Sequence, residues 1–191
     1  MLENPKANLT DNVKRGEINK MGNQQERPDL AWAAGIIDGE GTIGLYKHYY
    51  KKLDRTYYDP LIAVVNTDPL VVAGYLVVLR ASRIGHYIMR PKRLTKGNRQ
   101  VYRVHTRGIK RCIKALKILS PYLVAKRKQA LLLLEHLEWC LTKKQKDPLR
   151  MEKHEEYYQL LKKEKRVSSE TNTLDEAVKV LMIESELNRK I

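Results

Sequence analysis

Asp38 and Glu40 stand two residues apart, with glycine between and after them, at the end of the small apolar run Ala33-Ala34-Gly35-Ile36-Ile37. Two carboxylates this close suit a divalent cation. Metal held in that way can neutralise a phosphodiester, activate water and stabilise the leaving oxygen. The neighbouring residues say where the acids sit. Pro28-Asp29 reads as a helix start with Asp29 as N-cap, and Gly39 and Gly41 tolerate the positive φ with which many helices end. Asp38 and Glu40 then lie at a helix C-terminus, whose partial negative charge opposes them unless a cation is near. Ala31, Ala34, Gly35 and Asp38 recur at i, i+3, i+4 and i+7 and share one helix face, small enough for a second helix to approach closely. A second copy of the helix would bring a second set of carboxylates to the first. The residues alone leave another reading open, a capped helix end with solvated acids.

Charge points to the partner. The formal net charge is +15, and between Asp68 and Glu135 there are 66 residues with no acid and 16 lysines or arginines. These cations are spread through segments that read as strands and helices, so they form a folded basic surface suited to a polyanion such as double-stranded DNA. No signal peptide or apolar run of spanning length is visible, which makes the expected protein soluble and intracellular with no membrane partner. Cys112 and Cys140 lack metal or redox spacing and are expected as core thiols in a reducing compartment. His136 and His154, both on helical segments, are expected at the surface without a metal role.

Three regions follow from the pattern. Residues 1–28 are polar and read as an N-terminal arm, residues 29–141 as the core, and residues 142–191 as a helical extension. Within the core, Thr42 to Lys51 alternates, with Ile43 and Leu45 on one side and Gly44, Tyr46, His48 and Tyr50 on the other. Leu53 to Asp59 reads as a charged turn and Leu61 to Asn66 as a second strand. Asp68-Pro69 opens a helix with Asp68 as its N-cap. Gly85 to Arg93 and Arg99 to Thr106 read as a second hairpin, giving a cationic face of Arg90, Lys92, Arg99, Arg103 and His105. Ile109 to Leu119 is an amphipathic helix ended by Ser120-Pro121, and another helix runs from about Val124 to Leu141. In the extension, Leu149 to Lys163 and Leu174 to Leu187 read as helices. The fold class is α+β: a four-stranded antiparallel sheet with helices on one face and the other face open. Gly44, Tyr46, His48, Tyr50, the five cationic hairpin residues and Lys128 are the candidate DNA contacts.

Ala33 to Gly41 also resembles, position by position, the signature of the LAGLIDADG homing endonucleases, with Ala33 for its Leu, Gly39 for its Ala and Glu40 for its last Asp. Pro121 to Gln129 is similar to a family segment of the form P-hydrophobic-L-x-x-K-x-K-Q, and Asn66-Thr67-Asp68 resembles the end of the second strand. The resemblance spans about Asp29 to Trp139 and implies an αββαββα core. It implies metal bound by Glu40 with the Gly39 carbonyl, Lys126 lining the active site, and Asn66 or Thr67 organising solvent. The implied cofactor is Mg²⁺, with Mn²⁺ or Ca²⁺ able to substitute for binding. Only one such motif is present, so the expected assembly is a homodimer with Ala31, Ala34, Gly35 and Asp38 at the seam. Asp38 is expected to tie down the helix end. The expected substrate is a long pseudo-palindromic duplex cut to short 3′ overhangs. The alternatives on the same fold are an intron RNA maturase and a non-catalytic DNA-binding regulator; clustered Glu40 and Lys126 argue against a pure binder.

Overall fold

The computed structural model describes residues 27–89, 100–144, 147, 149–170 and 178. Residues 1–26 of the N-terminal arm, Arg90, Lys92, Arg99, the turn between them and all of the expected last helix but Val178 lie outside the described residues.

The first helix, α1, spans Pro28–Glu40. Its N-cap is Arg27, with Pro28 at the first helical position, so Asp29 falls inside the first turn and is not the cap. The Asp29 carboxylate is instead gripped by the Arg27 guanidinium at 2.8 and 3.0 Å, and it also favours the positive end of the helix. The C-terminal end differs from expectation too. Gly41 caps it in an extended conformation, φ −94°, so no positive φ is involved. Glycine is needed for space: a Cβ at Gly41 would lie 2.6 Å from the Ile37 carbonyl oxygen.

From Gly41 the chain enters β1, Gly41–Tyr50, turns through Lys51–Leu53 and returns as β2, Arg55–Asn66. β2 therefore begins well before Leu61, and the expected charged turn shrinks to a 3-10 turn closed by Asp54 at φ +44°. Pairing of His48 with Tyr57 and of Lys47 with Tyr58 extends the hairpin. Pro60 is tolerated within β2 because β4 starts to pair only at Leu61, leaving that side of the strand free. Strands β3, Tyr87–Met89, and β4, Tyr102–Arg107, complete the antiparallel sheet in the order β1-β2-β4-β3.

Helices α2, Pro69–Ala81, and α3, Ile109–Leu119, lie with α1 on one face of the sheet. Asp68 Oδ1 caps α2 by accepting from the Leu70 N–H at 2.8 Å. The α2 residues that turn inward are Val72, Tyr75, Val78 and Leu79, while Leu70 and Val77 are exposed. Ile43, Ile62, Val64 and Val104 from the sheet close on Ala33, Ala34, Ile37, Leu116 and Leu119 to form the core. Cys112 is buried within it, its thiol directed at the Thr106 carbonyl at 3.4 Å, and burial pushes the thiol up to about 12. Helix α4 spans Arg127–Thr142 and α5 spans Leu149–Glu170, and the two pack along one another. None of the helices among the described residues is long and apolar enough to cross a membrane.

α5 also seals the outer strand. Lys47 projects from β1 on the helix-covered face and meets Glu155 at 2.6 Å, while the Tyr58 hydroxyl donates to the same carboxylate. These contacts, Lys47 first and then Tyr58 and Gln159, hold the Glu155 carboxyl down at about 2. Its folded pKa lies below the ordinary 4.5, so its contribution is present above about 4.5 and lost as the pH falls towards about 2. Acid should therefore loosen α5 from β1 in that window, read as faster amide exchange along α5. Glu155→Gln should already show the loosened exchange at neutral pH, with little further change on acidification.

Candidate functional site

One carboxylate assembles the site. Asp38, in the last turn of α1, accepts from the backbone N–H groups of Val124 at 2.7 Å and Lys126 at 2.9 Å. The Lys126 ammonium in turn donates to the Asp38 backbone carbonyl. Three groups that would otherwise be unpaired, two loop amides and a helix-end carbonyl, thus satisfy one another. The loop amides being engaged here, α4 starts only at Arg127, later than the periodicity from Val124 suggests. Lys126 is thereby fixed at the end of the helix that carries Gly39 and Glu40. Glu40 is exposed and makes no hydrogen bond or ion pair among the described residues. Its carboxylate and the Gly39 carbonyl, one of the last carbonyls of α1, are hard oxygen donors of the kind that bind Mg²⁺.

The ends of the strands converge on the same place. Gly41 pairs with Val64, so Asn66 at the end of β2 runs out beside the end of α1. The Asn66 side chain accepts from the Asp68 N–H at 2.8 Å, and Thr67 is exposed. Lys165 of α5 belongs to the basic run Lys162, Lys163, Lys165 and Arg166, which the sequence leaves open between a solvated helix surface and phosphate contact. Its ammonium comes within 3.2 Å of where a Gly44 Cβ would stand, and loss of solvent followed by repulsion from Lys126 pulls its pKa below the lysine norm. Only the long-range packing of α5 reveals this placement.

The uncovered sheet face is aromatic and cationic. Tyr46 and Tyr50 are exposed, His48 is half-buried and stacks on Tyr57 at 5.7 Å, and Arg103 is exposed. Arg107, which the sequence reading passed over, holds its guanidinium 5.8 Å from the Tyr46 ring. Four expectations need correction. His105 is buried mid-sheet against Tyr87, and its pKa is lowered by burial and then by Arg107 and Arg103, so it is not free to meet a ligand. Gly44 is covered by the Lys165 side chain. Lys128 leans towards Glu164 of α5 at 3.6 Å, away from the strands. Ala34 is completely buried in its own core, so the exposed stripe of α1 consists of Ala31, Trp32, Gly35, Gly39 and Glu40. Trp32 is half out of solvent, seated on α2 where a Cβ at Gly74 would strike its ring at 2.8 Å.

No protein-family model and no curated protein matches the chain's sequence. Solved structures do match in three dimensions. The homing endonuclease I-CvuI, in complex with its target, superposes at a TM-score of 0.58 with 19% identity over 72% of this chain and 82% of its own. The archaeal intron-encoded homing endonuclease I-Vdi141I, complexed with DNA, gives 0.56 with 16% identity over 80% and 93%. The LAGLIDADG homing endonuclease I-SmaMI, bound to cleaved DNA, gives 0.50 with 20% identity over 65% of this chain and 41% of its own. The chain has the LAGLIDADG homing endonuclease fold.

Asp38→Ala strands both loop amides and leaves Lys126 tied to the helix end only through the Asp38 backbone carbonyl. The expected cost is about 2–3 kcal/mol, two hydrogen bonds to a charged acceptor partly exposed to water. A urea midpoint should fall at unchanged slope, and the Val124 and Lys126 amides should lose their protection from hydrogen exchange.

Proposed function

We propose that the protein is a site-specific double-strand DNA endonuclease that acts as a homodimer with divalent metal, Mg²⁺ in the first place. The observation that carries this reading is the Asp38 clasp, which ties Lys126 to the C-terminal end of α1, the same helix end that carries Glu40, an exposed acid with no partner among the described residues. Glu40 and the Gly39 carbonyl would hold the metal, which when bound supplies charge neutralisation and an activated water. The chain's own groups account for the rest. The Lys126 ammonium is positioned to steady the scissile phosphate, and Asn66 or Thr67 to order solvent near it. Asp38 acts through Lys126 as a positioning residue. Tyr46, His48, Tyr50, Arg103 and Arg107 would lie in the major groove, where aromatic and guanidinium groups meet base edges and phosphates. Arg90, Lys92 and Arg99 would add to the same surface.

The dimer rests on two glycines. Gly35 and Gly39 lie inside α1, and a Cβ at either would meet nothing within 4 Å in the described chain. Glycine in a helix interior costs about 1 kcal/mol relative to alanine. Nothing among the described residues offsets that at Gly35, whereas close approach of a second α1 would. Two chains related by a two-fold axis would bring two Glu40 side chains together, one for each strand of a pseudo-palindromic site cut to short 3′ overhangs.

A plasmid carrying the joined sequences that flank the reading frame's insertion point tests this. Wild type should linearise it with Mg²⁺ and not with EDTA, and Glu40→Gln should retain binding while losing at least about a hundredfold in cutting. Gly35→Leu should sediment as a monomer and lose double-strand cutting. Tight binding of the duplex without cutting by wild type would overturn the enzyme assignment in favour of a regulator, and preference for folded intron RNA would favour a maturase.

A further inference from the structure

The α4–α5 hairpin buries a second cluster of chemically capable side chains on a part of the molecule unrelated to the Asp38 clasp. His136 and Cys140 are one helical turn apart on α4 and share a face; His154 reaches them from α5. The sequence reading placed both histidines at the surface, but His136 is wholly buried, Cys140 is 2% exposed and His154 is 9% exposed. The amphipathic pattern of α4 hides this, because its second apolar side faces another helix and not the sheet.

The three donor atoms converge. His136 Nε2 lies 2.9 Å from His154 Nδ1 and 3.7 Å from Cys140 Sγ, and all three fit within 4.8 Å of one another. A tetrahedral zinc ion needs about 3.3 Å between two nitrogens and about 3.6 Å between nitrogen and sulfur. The two ring nitrogens would have to part by a few tenths of an ångström, the His136–Cys140 pair already fits, and Cys140 Sγ and His154 Nδ1, within 4.8 Å of one another, would draw in on the shared ion. The rings are already aimed: His136 stacks on Tyr157 at 4.6 Å, and His154 stacks on Tyr58 at 5.4 Å. His136 Nδ1 is buried with no partner among the described residues, which places that ring's hydrogen on Nδ1 and leaves Nε2 as an acceptor facing the cluster. A cavity of about 440 Å³ lined by His154, Arg150, Asp147 and Leu137 reaches the cluster from one side.

We propose that His136 Nε2, His154 Nδ1 and the Cys140 thiolate bind one Zn²⁺-class ion, with water from the adjoining cavity in the fourth position, and that this ion clasps α5 to α4. The site is structural and independent of cleavage. Its proton balance is simple. The Cys140 thiol loses its proton to solvent, and the hydrogen shared between the rings moves to His154 Nε2. Arg150 Nε, now 3.4 Å from that nitrogen, must turn away, and its Nη1 is already near the Lys143 carbonyl at 3.3 Å. Binding therefore releases one proton per ion.

The test is a Co²⁺ titration of the metal-stripped full chain. One ion per chain should bind, with the visible bands of tetrahedral cobalt and a near-ultraviolet sulfur-to-cobalt charge-transfer band, and Zn²⁺ should displace it. Cys140→Ser should abolish the charge-transfer band and weaken binding about tenfold or more, whereas Cys112→Ser, buried elsewhere, should leave both unchanged. Zn²⁺ should raise the melting temperature of wild type and of Glu40→Gln alike, but not that of Cys140→Ser. Absence of the charge-transfer band in wild type overturns the proposal, even if a variant fails to fold. So does a band that survives in Cys140→Ser.

Discussion

The site depends on a carboxylate placed where helix electrostatics would not put one. Asp38 faces the negative end of α1, yet it accepts two amide hydrogen bonds from the Val124–Lys126 loop. Each amide is a backbone donor with no helix or strand to join, so the loop and the helix end have complementary deficits. The lysine ammonium on the Asp38 carbonyl completes the arrangement by bringing positive charge to the helix C-terminus. Lys126 is thus fixed to the end of α1 by contacts with the Asp38 carboxylate and backbone, not by its own rotamer alone.

Much of this was legible in the sequence, and the failures share a cause. The motif helix, the Asp68 cap, the α3 stripe and the alternation of β1 depend on near neighbours, and each was found where local chemistry places it. Boundaries set by distant partners were missed. α4 starts late because Asp38 holds the preceding amides, and β2 starts early because Tyr57 and Tyr58 pair with His48 and Lys47. The same holds for burial. Alternation assigns His105 to the open face, as observed, but cannot say that the centre of a sheet is crowded by Tyr87 and two arginines. For Ala34, one helical step decides between seam and core, and a stripe of small residues is too uniform to locate that boundary.

Helix α5 explains most of the remaining surprises. It supplies Glu155 to Lys47, His154 to His136 and Lys165 to the neighbourhood of Gly44. Lys47 is a cation on the covered side of an outer strand, a position that would be costly without an acid opposite it. Leu149 to Lys163 reads as a helix without these partners because each lies more than ten residues away. α5 is therefore part of the core's wall.

Glycine usage along α1 separates what the fold requires from what it leaves open. At Gly41 a methyl group would strike the Ile37 carbonyl, so the protomer itself demands glycine at the turn into β1. At Gly35 and Gly39 a Cβ would meet nothing among the described residues, and at Gly35 an alanine would favour the helix. Sequence places Gly35 on a small-residue face and reads Gly39 and Gly41 together as the helix end. Geometry assigns Gly41 to folding and leaves Gly35 as a cost borne in isolation. In the proposed dimer, close approach of a second α1 would offset that cost on the exposed stripe that ends at Glu40.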